Sequence, residues 1–331
     1  MEKIKQFLKR KNIEISAKRY GVDALGAMAQ GLFASLLIGT IVGTLGTQLS
    51  IEAFVTVGNF AKETHVVGAA MACAIGWALQ CPPLVLFSLI TVGAATNELG
   101  GAGGPLAVLI ITVIAAELGK AVSKETKIDI LVTPFVTIFS GSMLAVLFAP
   151  VIGSAASSLG NVIIWATDLQ PFVMGILISV LVGIALTLPI SSAAICAALG
   201  LTGLAGGAAV AGCSAQMIGF AVMSFKENGV SGLISQGIGT SMLQMPNIVR
   251  NPRIWIPPTL ASAITGPIAT CIFKLQMNGA PVSSGMGTCG LVGQIGVYTG
   301  WIAPTNQASA ITPSIANWIG LILISFVLPA I

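Results

Sequence analysis

The chain has 331 residues, 55% of them hydrophobic and 8% charged, with a formal net charge of +4 and a mean hydropathy of +0.95. So few charges cannot clothe a soluble globule of this size, and an excess of +4 spread over it gives no nucleic-acid footprint. Uncharged stretches run from Ile130 to Thr167, Leu169 to Phe225, Ile254 to Phe273 and Leu275 to Ile331. Each exceeds or approaches the roughly 20 residues that a helix needs to cross a bilayer core, so the chain reads as an all-α polytopic membrane protein with about 8–10 membrane segments, some of them broken or re-entrant.

Seven of the fifteen basic residues precede Tyr20: Lys3, Lys5, Lys9, Arg10, Lys11, Lys18 and Arg19, mixed with Ile4, Phe7, Leu8, Ile13 and Ile15. The segment lacks the uninterrupted apolar core and cleavage site of a secretory signal. It reads as an amphipathic helix over residues 1–20, or a solvated basic tail, and in either case pins the N-terminus in the cytoplasm. A first span follows from Val22 to Leu45, with Gly26, Gly31, Gly39 and Gly43 forming a narrow face for a neighbouring helix. Thr47 to Thr64, which holds Glu52, Lys62 and Glu63, reads as an interfacial helix.

His65 to Thr96 is interrupted by Cys81-Pro82-Pro83, which makes it either a kinked span or two passes. Asn97 to Pro105 is expected to be non-helical, and a span runs from about Leu106 to Leu118. Lys120, Lys124 and Lys127 form a second basic cluster. If both clusters are cytoplasmic, an even number of crossings separates them, and the double proline supplies the missing pass. Further spans are expected at Ile130–Ile152, Pro171–Ala193 and Leu204–Phe225, with a shorter one near Ala155–Ala166. Lys226 to Gly229 is expected to turn.

Val230 to Met245 is too short and too rich in Gly, Ser and Gln for a lipid-facing helix, and suits a re-entrant or cavity-lining segment. Met245 to Arg253 reads as a polar hinge with two prolines and two arginines. A span from about Ile254 to Ile272, a Gly-rich stretch from Gly279 to Gly300 and a last span from about Thr312 to Ala330 finish the chain. Residues 21–331 thus form one transmembrane domain.

Gly237-Ile-Gly-Thr-Ser241 and Gly285-Met-Gly-Thr-Cys289 share a pattern, each followed by a glutamine, Gln244 and Gln294. Paired broken segments meet at the midplane sites of many transporters, although chance explains the likeness as well in a chain with 39 glycines. Gly285-x-Gly-x-x-Gly290 spells a dinucleotide fingerprint but lacks the strand, the βαβ unit and the later acid. The six cysteines include no Cys-x-x-Cys pair and His65 is the sole histidine, so no metal site, cofactor or catalytic group is expected.

Ionisable and amide groups inside the membrane segments are the remaining candidates. Glu117 either serves a function or pairs with Lys120 or Lys124 at a helix end. Glu98 either accepts hydrogen bonds from a ligand or is an exposed loop acid. Gln216, Gln236, Gln244, Asn247, Asn251 and Gln294 offer donors and acceptors that suit polyols, or else bridge helices. Glu98, Gln216, Gln244, Asn247, Asn251 and Gln294 form the expected substrate set.

Lys124 to Ile138, Ser241 to Ser262 with its unusual proline spacing, and Gly285 to Gln294 together resemble the phosphotransferase-system EIIC-like membrane family, including the perfringolysin-regulator (PfoR) type proteins of Gram-positive bacteria. The resemblance covers nearly the whole chain. It implies the membrane channel component of a phosphoenolpyruvate-dependent sugar phosphotransferase system, dimeric in the bacterial plasma membrane and served by separate EIIA and EIIB phosphocarrier proteins. Glucose-type members carry a Gly-Ile-Thr-Glu motif whose glutamate contacts sugar, whereas this chain has no acidic residue after Glu227. Two other readings stay open: a membrane-embedded regulator or sensor that transports nothing, and a secondary transporter independent of phosphorylation.

Overall fold

A computed structural model describes residues 2–331, and the side chains of Glu2, Lys3 and Ile4 lie outside those described. The described residues are helical apart from short connections and form no strand, only one antiparallel bridge between Gly203 and Met277. Four helical stretches are long and apolar enough to cross a membrane: Arg19–Leu49, Pro83–Val122, Asp129–Thr167 and Gly203–Met223. Three shorter ones, Thr64–Ala78, Pro171–Thr187 and Ile315–Ala330, are also apolar. The protein is thus an all-α polytopic membrane protein. Large apolar side chains stay exposed where lipid would cover them, as at Leu131, Phe135 and Trp165.

The chain divides into two compact units, residues 1–155 with 245–250, and residues 156–244 with 251–331. In the first unit, Glu2–Arg10 is a helix and Arg19–Leu49 follows, with π-helical turns at Arg19–Ala24 and Phe33–Leu37. Ser50 takes a left-handed conformation that reverses the chain, and Glu52–Ala61 packs back on the end of the long helix. Gly43 and Gly58 meet there with no room for a β-carbon on Gly58.

The double proline separates two helices, Thr64–Ala78 and Pro83–Gly100, which pack closely along their length. Pro83 sits in the first turn of the second helix, where its missing N–H costs nothing. The expectation that Asn97 to Pro105 is non-helical is corrected. The helix continues to Gly100, because Asn97 Nδ2 donates 2.8 Å to Thr64 O across the pair, and the break is confined to Gly101 at φ +49°. Gly104–Val122 then returns.

Arg19 Nη2 donates to Leu79 O at 2.8 Å and Lys120 Nζ to Leu79 O at 3.2 Å, so the start of the first long helix and the ends of two later ones share one face. The N-terminal segment lies on that face too. Lys120 Nζ donates to Asn12 O at 2.8 Å, Arg10 pairs with Glu125 at 2.7 Å, and Lys11 reaches Glu125 and Ser123 O. Four helices, besides the short Glu52–Ala61, therefore run between the two basic clusters and bring the chain back to the face it left.

Ile130–Ile152 and Ala155–Ala166 are not separate elements. Asp129–Thr167 is one 39-residue helix that accommodates Pro134 and Pro150, and at 1.5 Å per residue it is about 58 Å long, well beyond a bilayer core. In the second unit, Lys226 to Asn228 are helical rather than a turn, and the expected reversal falls on Gly229 at φ +58°. Gly203–Met223 is the central helix of this unit, buried along almost its whole length and packed by Pro171–Thr187 and Ile256–Pro267. Backbone contact sets these distances: a methyl on Gly212 would overlap Ser179 O, and one on Gly266 would overlap Gly175 O.

Candidate functional site

The central helix of the second unit is rich in Gly and Ala, with Cys213 and Ser214 also small, and Gln216 is its one buried amide. Small side chains let four irregular segments press against it. The first follows Pro171–Thr187, where Leu188 is extended, Pro189 stops the helix, and Ser191 caps the short helix Ser192–Ala198 by accepting from Ala194 N at 3.2 Å. The second is the 3₁₀ turn Pro281–Gly285. Ser192 Oγ donates to Gly285 O at 2.7 Å and joins these two. Ser284 Oγ donates to Leu201 O at 2.6 Å and ties the turn to the base of the central helix.

The third and fourth segments carry the repeated Gly-x-Gly-Thr pattern. Ser235–Gly239 is a π-helical turn that ends at an extended Thr240, and Gly287, Gly290 and Leu291 are all left-handed. Thr288 Oγ1 donates to Gly237 O at 2.5 Å, so the two patterns touch. Gly287 is required twice over: its φ is +51°, and a β-carbon would strike Cys213 and Ser214.

Gln216 is the hub of a neutral polar network. Its Oε1 accepts from Trp255 Nε1 at 3.0 Å and Thr187 Oγ1 at 3.2 Å, and its Nε2 donates to Thr259 Oγ1 at 3.3 Å and Ser262 Oγ at 3.5 Å. Thr187 also meets Ser241 Oγ at 2.8 Å. Gln244 Nε2 donates to Gln236 Oε1 at 2.8 Å, and Gln236 Nε2 to Ser224 Oγ at 2.8 Å. Gln294 Nε2 donates to Ser325 at 2.9 Å and Ser214 at 3.3 Å, while its Oε1 is buried without a hydrogen-bond partner. No charged side chain enters these contacts, so whatever binds here meets hydroxyls and amides.

Gln216, Gln244 and Gln294 thus lie in the second unit, each bonded to the central helix or to a segment that packs on it. Asn251 is in this unit too, but it is exposed and its Oδ1 caps the turn Pro252–Trp255 by accepting from Arg253 N. Glu98 and Asn247 belong to the first unit. Glu98 is about half exposed on the last turn of its helix and pairs with His65. Asn247 is exposed on the short helix Met245–Arg250. Glu117 pairs with Lys120 at 2.8 Å, as a helix-end ion pair would, and accepts from Tyr20 Oη at 3.1 Å.

The hydroxyls at the segment tips, Ser192, Ser284 and Thr288, were not expected from sequence. One signal was present: Pro189-Ile-Ser-Ser192 and Pro281-Val-Ser-Ser284 repeat the same spelling, and they are the two segments that Ser192 joins. Among the described residues, no group of three or more His, Cys, Asp or Glu side chains could hold a metal.

A protein-family model described as "Phosphotransferase system, EIIC" matches residues 22–331. No curated protein and no solved structure matches the chain.

Proposed function

The chain belongs to the phosphotransferase-system EIIC family, and from that premise we propose that it moves a neutral sugar or similar polyol across the bacterial plasma membrane. The ligand is held on the second unit among the segments that interrupt its helices. One observation carries this reading: four irregular, buried segments converge on the central helix and bring only hydroxyl and amide groups. Non-helical backbone at membrane depth persists where protein or a water-lined cavity surrounds it. Gln294 Oε1 adds a buried acceptor that a ligand hydroxyl would satisfy.

Gln216, Gln244 and Gln294 are the proposed amide contacts, with Asn251 of the same unit as a further member of the substrate set. Phosphoryl transfer to the sugar is the work of separate EIIA and EIIB proteins, and the chain acts as a homodimer. The face holding the N-terminal segment and the Lys120–Lys127 loop is cytoplasmic, by the excess of basic residues there. Uptake of a labelled sugar panel by cells that express this chain with and without EIIA and EIIB tests the proposal. Accumulation of a phosphorylated sugar that requires all three components is expected. Binding without uptake would instead make the chain a sensor, and uptake indifferent to the carriers would make it a secondary transporter.

A further inference from the structure

A cavity of about 230 Å³ in the second unit lies away from the broken segments. Lys274, Gln276, Asn278, Ser309 and Asn317 supply its polar side chains, and Trp301 and Ile311 part of its apolar wall. Lys274 is the sole charged residue after Arg253. It follows the π-helical turn Ile268–Ile272 with a left-handed backbone, φ +46°, an unusual conformation for a residue with a β-carbon. Its ammonium makes no hydrogen bond or ion pair among the described residues.

The direction of every amide in the cavity is fixed by a chain of hydrogen bonds that starts on the backbone. Ala308 N donates to Asn306 Oδ1 at 3.0 Å, which turns Asn306 Nδ2 toward Asn278 Oδ1 at 2.9 Å. Asn278 Nδ2 then donates to Gln276 Oε1 at 3.1 Å, leaving Gln276 Nε2 uncommitted. At the other wall, Ser314 N donates to Asn317 Oδ1 at 2.9 Å and Ser314 Oγ approaches the same oxygen at 2.6 Å, which fixes that amide with Nδ2 uncommitted. The side-chain oxygens of Gln276, Asn278 and Asn317 are thus all accepting already, while an ammonium and two NH₂ groups keep unused protons. The cavity also meets the first turn of Ile315–Ala330, whose dipole favours negative charge, although Ser314 Oγ already accepts from Asn317 N at 3.3 Å.

We propose that this cavity is a binding site for a compact oxyanion, a phosphate or carboxylate group, held by Lys274 Nζ, Gln276 Nε2 and Asn317 Nδ2. Its volume lies below the roughly 300–1,000 Å³ of sites for drug-sized ligands, so it suits an anionic head or a free ion rather than an oligosaccharide. The site is separate from the proposed sugar contacts and does not depend on them. A free phosphate and the phosphate of an anionic lipid present the same acceptors, and the test separates them.

The purified chain in neutral detergent is titrated with inorganic phosphate and followed by tryptophan fluorescence, since Trp301 lines the cavity and stacks edge-on with Trp318 at 5.3 Å. Parallel samples in nanodiscs of phosphatidylcholine, with or without phosphatidylglycerol, are assayed for retained lipid by native mass spectrometry. The variants are Lys274→Gln, Lys274→Arg and Gln276→Leu, all at exposed positions. Saturable phosphate binding that weakens about tenfold or more in Lys274→Gln and recovers in Lys274→Arg is expected for a soluble anion. Retention of phosphatidylglycerol that is lost in Lys274→Gln, without a phosphate response, supports the same site with a lipid occupant. If phosphate and phosphatidylglycerol both treat the parent and Lys274→Gln alike, the proposal is overturned.

Discussion

Lys120 is among the largest fully buried side chains of the described residues, and it is ionisable. It is held by Glu117 and the carbonyls of Asn12 and Leu79. Truncating one member of such a group leaves the other charge buried and unpaired, at a cost of about 3–5 kcal/mol. Lys120→Ala should therefore lower thermal stability sharply, and adding Glu117→Gln should restore part of it. A melting temperature equal to the parent's for Lys120→Ala alone would refute this. Glu125 differs, being exposed. The hydrogen bond from Lys11, helped by the nearby charge of Arg10, holds its carboxyl below the ordinary carboxylate range. A depressed carboxylate contributes above its unfolded pKa of about 4.3, and the contribution fades as pH falls through the lower folded value. Protection factors at residues 5–12, with the intrinsic pH dependence of amide exchange divided out, should accordingly fall in acid and stay constant from pH 6 to 8. Protection factors indifferent to acid would dissociate the N-terminal segment from this pair. His65 pairs with Glu98, where a phosphoryl group would add about two negative charges beside a carboxylate. Labelled phosphoenolpyruvate with the general carrier proteins should leave this chain unlabelled, and a phosphohistidine at His65 would contradict that.

At the level of elements, the adjacent Pro82 and Pro83 revealed a break, whereas the single Pro150 and the glycine run after Asn97 suggested breaks that the helices override. Cys81-Pro82-Pro83 could not continue a helix, and two helices do meet there. The glycines after Asn97 carried no such prohibition, and a side-chain bond across to Thr64 lets the helix persist. Asp129–Thr167 was hard to see as one helix because Pro150 and Gly153 invite a stop, yet the helix runs through both. The amides drew notice because they are rare in apolar stretches, whereas the tip hydroxyls did not. Most membrane-helix hydroxyls simply bond the carbonyl four residues back, as Ser88, Thr96 and Thr137 do. Ser192, Ser284 and Thr288 differ only in reaching other segments, which tertiary structure alone discloses. Close backbone contact gives the corresponding prediction. Gly212→Val would drive a side chain into Ser179 O, and overpacking of this kind costs about 1–3 kcal/mol or more. It should abolish stable expression, whereas Gly21→Ala, which meets only Val249 Cγ1 at 3.5 Å, should be tolerated. Equal yields of the two proteins would mean that the helix pair is looser than described.

On the scale of the whole molecule, membrane character and family were legible from residue types and spacing, and the division into two units was not, since its boundary falls inside an unbroken helix. Residues 245–250 return the chain to the first unit between two segments of the second. The amides from Gln236 to Asn251, continuous in sequence, are therefore shared between units. The second unit is proposed to hold a neutral polyol through hydroxyl and amide groups. Equilibrium binding of a panel of labelled neutral sugars to the purified chain, the Gln294→Leu variant and a Ser192→Ala, Thr288→Val variant tests it most directly. At least one sugar should bind saturably, and each variant should weaken it about tenfold while melting within a few degrees of the parent. Failure of the whole panel to bind, or binding by both folded variants as tight as the parent's, would contradict it.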